Sequence, residues 1–206
     1  LADYLKKYLN KKNKKINFLD YGAGNGAMLY HFGKKFKKAN LNALDVNKKK
    51  YSKIKKIKNF NNFFNLNDFK KTKEKFDIVT LIHVLEHSLD PLNDLKLIKS
   101  KLNKSGILMI QVPNIKINPF DLIVMDHTYH FNKESLLALL SKSGYKVLKS
   151  SSNLVKSEIT IICKKVEKNL VLKKISRKNY LSIIEYHKRN TKYLNNYIDL
   201  VQKKHF

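Results

Sequence analysis

A short apolar segment that leads through a glycine-rich loop into an amphipathic segment places tight limits on the fold of this chain. Residues 16–20 predict a buried strand, residues 22–26 carry glycine at every second position, and residues 26–37 predict a helix. Glycines allow a ligand to approach the backbone closely, and the first turn of a helix offers N–H groups that have no partner inside the helix. This order of elements predicts a ligand-binding loop at the end of the first strand of an α/β fold.

The rest of the chain alternates between short apolar runs and amphipathic stretches. Further strands are predicted over residues 41–45, 60–66, 76–82, 106–112, 145–150 and 158–164, and further helices over residues 1–9, 48–58, 92–102 and 133–143. Because strands alternate with helices, the sheet is predicted to be mostly parallel, with helices on both faces. Only residues 151–157 separate the last two strands, so these are predicted to form an antiparallel hairpin. The expected fold is α/β, with a Rossmann-like, doubly wound, seven-stranded sheet.

The character of the chain changes after Lys164. The 206 residues, of which 43% are hydrophobic, suffice for one core of ordinary size. Residues 1–165 are therefore predicted to form one domain and residues 166–206 a C-terminal helical extension, because residues 169–206 lack glycine and proline and repeat apolar side chains with helical spacing. Packing on the domain, covering a cleft and forming a homodimer are the three roles that suit such helices.

The formal net charge of +27 comes from 43 basic and 16 acidic residues. Such a charge favours anionic partners, but the basic residues include only two arginines, Arg177 and Arg189, and nucleic-acid sites favour arginine. The lysines are spread over every predicted helix. We interpret them mainly as solvated surface, with a phosphorylated or nucleotide-linked small acceptor as the second interpretation and nucleic acid as the third.

Features of membrane or secreted proteins are missing from the sequence. No apolar run approaches the roughly 20 residues that cross a bilayer, and the basic N-terminus lacks an apolar signal core. A chain that starts at Leu1 is expected to be a fragment, and the loss of a leader stays open. The single cysteine, Cys163, excludes an internal disulfide and is predicted to be buried in a strand. We expect a cytoplasmic protein.

Two acidic residues refine the interpretation of the glycine loop. Residues 22–27 also fit the Gly-x-Gly-x-x-Gly/Ala pattern of nucleotide dehydrogenases. Asp20 precedes the first glycine by two residues, where its carboxylate suits a cationic ammonium group that a dinucleotide lacks. Asp45 ends the second strand, where a carboxylate accepts hydrogen bonds from both hydroxyls of a ribose. The alternative for Asp45 is a helix cap before Lys48.

These motifs resemble, in the same order, those of class I S-adenosylmethionine-dependent methyltransferases. The matching segments are residues 20–26, Asp45 and residues 76–79, 106–114 and 131–147. Residues 81–91 are more specific and resemble a bacterial subgroup that includes quinone-biosynthesis O-methyltransferases and many sugar O-methyltransferases. The resemblance covers about residues 14–165.

The resemblance implies S-adenosylmethionine as the cofactor and S-adenosylhomocysteine as the product. The residues that it implies as cofactor contacts are Asp20, Tyr21, Gly22, Gly24, Gly26, Asp45, Val46, Asp68, Ile82 and His83. Among them, Asp68 would meet the adenine, a role for which Asn67 is equally suited. Ile82 and His83 would line the cofactor at the end of the fourth strand. Tyr21 departs from the aliphatic residue that is usual at its position.

Histidines follow two neighbouring strands of the predicted sheet. His87 lies just past the fourth strand with Glu86, and His127 and His130 lie in the loop after the fifth. Parallel sheets bind ligands beyond the carboxyl ends of their strands. Methyl transfer to a hydroxyl needs alignment and a base for the proton, which is usually a histidine. We predict His87 or His130 as this base, with His127 and Glu86 as supporting catalytic residues.

A divalent metal site is a second interpretation of the same segment. His83, Glu86 and His87 have i, i+3, i+4 spacing, which puts them on one face of a helical turn, and imidazole with carboxylate suits a divalent ion. The segment resembles the metal site of small-RNA 2′-O-methyltransferases. That resemblance implies Glu86, His87 and a distant His130 as ligands, with His83 in place of a glutamate.

The sequence thus predicts O-methylation of a small hydroxylated metabolite, such as a sugar or a glycan precursor. RNA methylation is one alternative, and a non-catalytic subunit that binds the cofactor and assembles through residues 169–206 is another. A dehydrogenase is the least favoured alternative.

Overall fold

The computed structural model describes residues 1–9 and 15–167, together with residues 192, 195, 196 and 199. Its strands are β1 (Asn17–Tyr21), β2 (Asn40–Leu44), β3 (Phe60–Phe64), β4 (Phe76–Ile82), β5 (Leu102–Pro113), β6 (Tyr145–Ser151) and β7 (Glu158–Lys165). Its helices are α1 (Ala2–Lys6), α2 (Ala27–Lys35), α3 (Tyr51–Ile54), α4 (Leu66–Lys71), α5 (Pro91–Lys101) and α6 (Lys133–Lys142). Most of the predicted extension, residues 166–206, lies outside the described residues.

The strands form one seven-stranded sheet in the order β3-β2-β1-β4-β5-β7-β6. The strands from β1 to β5 are parallel, and β7 is antiparallel to both of its neighbours, β5 and β6. The predicted fold class and the predicted hairpin are therefore confirmed. The chain moves outward from β1 to β3 and then returns to place β4 on the other side of β1. This reversal opens a crevice at the carboxyl ends of β1 and β4, where doubly wound sheets bind their ligands.

Hydrophobic side chains cover both faces of the sheet. Phe18 and Ile78 belong to one buried cluster, and the next residues along the same strands, Leu19 and Val79, belong to the other. Successive side chains of a strand point to opposite faces, so a strand that is buried on both faces is apolar throughout. Cys163 on β7 is fully buried, as predicted. None of the helices in the described part of the chain has the length and apolar character that crossing a bilayer requires.

Two helix predictions differ from the structure around β3. The basic helix predicted over residues 48–58 is a 3-10 turn, Lys48–Lys50, followed by the single turn of α3. Within those two elements only Ile54 is buried, so they have little apolar surface to stabilise a longer helix. The short helix α4 was not predicted. The Asn65 side chain caps this helix by accepting a hydrogen bond from the Asp68 N–H, and the buried Phe69 side chain anchors it to the core.

Candidate functional site

The glycine loop connects β1 to α2 at the crevice. Its three glycines all have positive φ angles, 79° at Gly22, 55° at Gly24 and 81° at Gly26. The N–H groups of Gly22 and Ala23 both donate to the Leu44 carbonyl, at 2.7 and 3.0 Å, and this fixes the loop to the end of β2. A side chain at Gly22 would overlap Val84, which follows β4. The backbone conformation and the close approach of Val84 both require glycine at position 22.

Asp45 lies at the end of β2 and holds the same loop from the other side. One carboxylate oxygen accepts a hydrogen bond from the Gly24 N–H at 2.7 Å, and the other accepts one from the Asn47 N–H at 2.7 Å. The capping position before Lys48 is taken by Asn47, whose side chain accepts from the Lys49 N–H. The alternative interpretation of Asp45 as the helix cap is therefore wrong.

Asp20 lies beneath the glycine loop and is almost fully buried. The Thr80 hydroxyl donates to its Oδ1 atom at 2.6 Å. Burial raises the pKa of the Asp20 carboxyl to about 7, and the nearby Asp45 charge acts in the same direction, whereas the Thr80 hydrogen bond opposes the shift. A cationic group at this place would reverse the effect by stabilising the carboxylate.

An open cleft of about 410 Å³ lies over the loop. The residues that line it include Asp20, Gly22, Gly24, Met28, His31 and Ile82. Val46 and Asp68 are exposed outside this lining, and the Asn65 amide donates to the Asp68 carboxylate. The Tyr21 side chain does not face the cleft, because its ring is buried in the core, 5.7 Å from the Phe69 ring. A contact between Tyr21 and the cofactor, which stays a prediction, would therefore involve the Tyr21 backbone and not its ring.

A cluster of histidines and acidic residues lies at the ends of β4 and β5. Glu86 belongs to a 3-10 helix, Leu85–His87, and its side chain is 1% exposed. The Glu86 carbonyl accepts hydrogen bonds from the N–H groups of Thr128 and Tyr129, at 2.8 and 3.0 Å, so the loop after β5 is joined to the end of β4. The His87 and His127 rings are 4.7 Å apart and nearly perpendicular.

One buried carboxylate connects two of these histidines. Asp121, in the 3-10 helix Pro119–Ile123, is 1% exposed. Its two oxygens contact the Nδ1 atoms of His127 and His130, at 2.7 and 2.8 Å. The Nδ1 atom of His87 contacts the Asp126 carbonyl at 3.0 Å. Each of the three rings therefore has its Nδ1 atom next to an oxygen, which leaves Nε2 for other partners.

The predicted metal ligands do not come together as one set. Among the residues that the structure describes, two groups have ligand atoms within 4.8 Å of one another: Glu86 with His87 and His127, and Asp121 with His127 and His130. His83 belongs to neither group. Its ring nitrogens contact Glu86 at 3.2 Å and Glu158 at 3.0 Å, and these carboxylates, Glu86 first, raise the pKa of His83.

Backbone conformation explains this error. The φ angle is 53° at His83 and −131° at Val84, so the segment is not a helical turn. His83 still contacts Glu86, but it does not join the group of ligand atoms that Glu86 and His87 form. The third member of the group with Glu86 and His87 is His127, and not His83 as the sequence predicted. His130 lies with Asp121.

Comparison with known proteins identifies the family. A family model described as a methyltransferase domain matches residues 1–150. The chain belongs to this family. The ubiquinone biosynthesis O-methyltransferase of Haemophilus ducreyi is 32% identical over 81 residues, which are 39% of this chain and 32% of that protein. The matched segment thus spans about a third of that relative.

Solved methyltransferase structures share the fold. A S-adenosylmethionine-dependent methyltransferase from Clostridium acetobutylicum has a TM-score of 0.64 at 13% identity, over 80% of this chain and 90% of that one. An O-methyltransferase family 2 protein from Planctomyces limnophilus, in complex with apigenin, has a TM-score of 0.66 at 16% identity, over 80% of this chain and 55% of that one. Family and fold together identify the chain as a class I S-adenosylmethionine-dependent methyltransferase domain.

Three residues that the structure brings to the candidate site were not singled out in the sequence. Thr80 lies inside an apolar strand, Glu158 begins the last strand, and Asp121 lies in a loop without a recognised motif. Only the fold brings Thr80 to Asp20 and Glu158 to His83. For Asp121 a signal existed, since it is an acidic residue in the same short loop as two histidines.

Proposed function

We propose that the domain transfers a methyl group from S-adenosylmethionine to a hydroxyl of a small metabolite. The observation that carries this proposal is the cluster of His87, His127 and His130 beside two buried carboxylates, Glu86 and Asp121, at the ends of the strands next to the glycine loop. Such a cluster suits the removal of a proton, which methylation of a hydroxyl requires.

The cofactor would lie in the cleft over the glycine loop. The Asp20 carboxylate would meet its ammonium group, and Asp45 would accept from the ribose hydroxyls, since each of its oxygens has a second lone pair beside the backbone hydrogen bond that it accepts. Val46 and either Asp68 or Asn67 would lie beside the adenine. Ile82 lines the cleft at the end of β4, the strand that leads to Glu86 and His87, so a cofactor bound there would lie beside this strand end.

The reaction is an in-line displacement. S-adenosylmethionine, when bound, would supply the methyl group: the acceptor oxygen would bond to the methyl carbon as the carbon–sulfur bond breaks and leaves its electron pair on the sulfur of neutral S-adenosylhomocysteine. The proton of the hydroxyl passes to the Nε2 atom of a histidine. Because the sulfonium is already activated, the protein contributes mainly alignment and this proton transfer.

A divalent ion is a second means of activating the hydroxyl. Within the described residues, the Oε2 atom of Glu86 is buried and has no hydrogen-bond partner. Glu86, His87 and His127 offer the mixed carboxylate and imidazole set that such ions accept. A bound ion would lower the pKa of a coordinated hydroxyl. If it contributes, prolonged dialysis against a chelator lowers kcat and added Mg²⁺, Mn²⁺ or Zn²⁺ restores it.

The charge of the surface and the exposed apolar side chains near the cluster indicate the class of acceptor. The lysine-rich surface supports a phosphorylated or nucleotide-linked sugar. An aromatic hydroxyl is the second candidate, because the loop that contains Asp121 exposes Phe120, Ile123 and Met125. A cytoplasmic location and a homodimer formed through residues 169–206 remain predictions.

The test is an acceptor screen with purified protein, in which S-adenosylhomocysteine is measured by mass spectrometry. Nucleotide sugars, sugar phosphates, catechols and a structured RNA form the panel. Product formation with a hydroxylated small molecule, lost in the His127→Gln/His130→Gln variant, supports the proposal. Methylation of RNA alone, or of no acceptor by protein that binds S-adenosylhomocysteine, would contradict it.

A further inference from the structure

The chemistry of Asp121 restricts the two histidines that it contacts. An ionised carboxylate accepts hydrogen bonds and cannot donate them. Since its two oxygens face the Nδ1 atoms of His127 and His130, each ring must carry its proton on Nδ1. In a neutral imidazole this leaves the lone pair on Nε2, which is the form that accepts a proton from a substrate.

The loop around Asp121 is held at both ends. Asp121 donates its N–H to the Asn118 carbonyl at 3.3 Å, and the N–H groups of Ile117 and Asn118 both donate to the Asn114 carbonyl, at 2.9 and 2.8 Å. At the other end of the loop, the Phe131 carbonyl accepts from the Ile115 N–H at 3.0 Å. The carboxylate therefore has a fixed position from which to orient the rings.

Burial adds to the effect of Asp121. Its side chain is 2% exposed, and the side chains of His127 and His130 are 11% and 25% exposed. Little water competes for the contacts between carboxylate and rings, and charge-assisted hydrogen bonds are among the stronger ones. One buried carboxylate is thus shared by two imidazoles.

We infer that Asp121 is a positioning residue that holds both His127 and His130 as Nδ1–H tautomers with Nε2 available to the acceptor. It does not itself contact the reacting atoms. The catalytic part of the inference rests on the proposed function of these histidines, whereas the tautomers can be tested without any acceptor.

The first test is spectroscopic. Protein labelled with ¹⁵N-histidine is recorded by long-range ¹H–¹⁵N correlation at about pH 8.5, above the ordinary titration range of histidine, in the presence of a chelator. His127→Gln and His130→Gln variants assign the signals. Wild-type protein is expected to show the Nδ1–H pattern for both rings. An Nε2–H pattern for either ring overturns the inference, and this holds even if every variant of Asp121 fails to fold.

The second test uses Asp121→Asn, which keeps the size of the side chain. The amide oxygen satisfies one Nδ1–H, but the amide nitrogen faces the other ring and forces it into the Nε2–H tautomer. With the acceptor found in the screen, we expect kcat to fall at least about 10-fold, while KM for S-adenosylmethionine changes less than about twofold. In the His127→Gln/His130→Gln background, the same substitution is expected to have little further effect.

The matched control is Glu134→Gln, which removes a carboxylate paired with Lys116 of the same loop, at 2.9 Å, on the surface. In this variant, the tautomers of His127 and His130 and the kcat should match those of the wild-type protein. If Asp121→Asn switches one tautomer but leaves kcat unchanged, the catalytic part of the inference is overturned and the methyltransferase activity stands. If wild-type protein methylates no acceptor, the proposed function fails, and the spectra still decide the tautomers.

Discussion

The glycine loop and the histidine cluster lie at neighbouring strand ends but are built in different ways. The glycine loop is defined by its own backbone, with three positive φ angles and N–H groups bonded to Leu44 and Asp45. The cluster is defined by side chains from two segments, joined where the Glu86 carbonyl accepts from Thr128 and Tyr129. A backbone-defined site depends on a contiguous motif, whereas a side-chain-defined site depends on how two loops meet. The first should therefore determine binding and stability, and the second catalysis.

The double variant His127→Gln/His130→Gln is expected to show the largest difference between an effect on catalysis and an effect on cofactor binding. Removal of His130, one of the two predicted bases, together with the supporting His127 should lower kcat by roughly 10²- to 10⁴-fold, the usual contribution of general base catalysis. The dissociation constant for S-adenosylhomocysteine, measured by calorimetry, should change less than about twofold. A large loss of cofactor affinity in this variant would show that the two regions are not separable.

Gly22→Ala tests where the two regions touch. The added methyl group would overlap Val84 and impose a positive φ on alanine, so we expect a loss of roughly 3 kcal/mol of unfolding free energy in urea titrations. Gly24→Ala is the matched control, because its Cβ would make only an ordinary contact with the Gly22 carbonyl oxygen, at 3.9 Å, and the backbone strain of about 1 kcal/mol alone applies. Val84→Ala in the Gly22→Ala background should recover part of the difference, and no recovery would exclude Val84 as the cause.

Asp45→Ala tests whether the glycine loop region determines the affinity for the cofactor. The substitution removes the acceptor for the Gly24 and Asn47 N–H groups and the proposed acceptor for the ribose hydroxyls. Hydrogen bonds to a charged group contribute about 1.5–3 kcal/mol, so S-adenosylhomocysteine should bind roughly 30-fold more weakly by calorimetry. Asp68→Ala, at the exposed rim of the site, should have a smaller effect. Equal effects would argue against a ribose contact for Asp45.

The smallest expected effect is a pH dependence from Asp20. The pKa of its carboxyl is raised from 3.8 to about 7 in the folded protein. In the absence of cofactor, the protonated carboxyl therefore stabilises the folded state fully below about pH 4, and this stabilisation is lost as the pH rises through 7. The ionised form is the one that attracts an ammonium group. Wild-type affinity for S-adenosylhomocysteine should thus rise several-fold from pH 6 to pH 8, while thermal stability of the free protein falls.

Asp20→Asn should remove both trends, because an amide does not titrate in this range. Its melting temperature should be less dependent on pH than that of wild type, and its affinity should be low at both pH values. A wild-type affinity that stays constant from pH 6 to pH 8 would contradict the raised pKa.

The sequence predicted the backbone-defined region well. Periodicity located β4 over the same residues as in the structure, and the strand, glycines and Asp45 are close in the chain, so a local pattern contains the information. For the cluster, the sequence predicted the histidines and Glu86 but not the contacts that they make. His127 contacts Asp121, and His83 contacts Glu158, 75 residues away, in addition to the nearby Glu86. Such pairings depend on loop conformation and sheet order, which no local periodicity encodes.

The insertion of β7 between β5 and β6 also affects how the protein is made. Once Pro113 has left the ribosome, the five parallel strands are available, but in the described sheet β5 has no outer neighbour until Glu158–Lys165 is synthesised. During that interval an apolar strand edge is open to other nascent chains, a condition that favours aggregation. Chains truncated before Glu158 should accumulate as inclusion bodies, and slowing translation across residues 114–157 should lower the soluble yield.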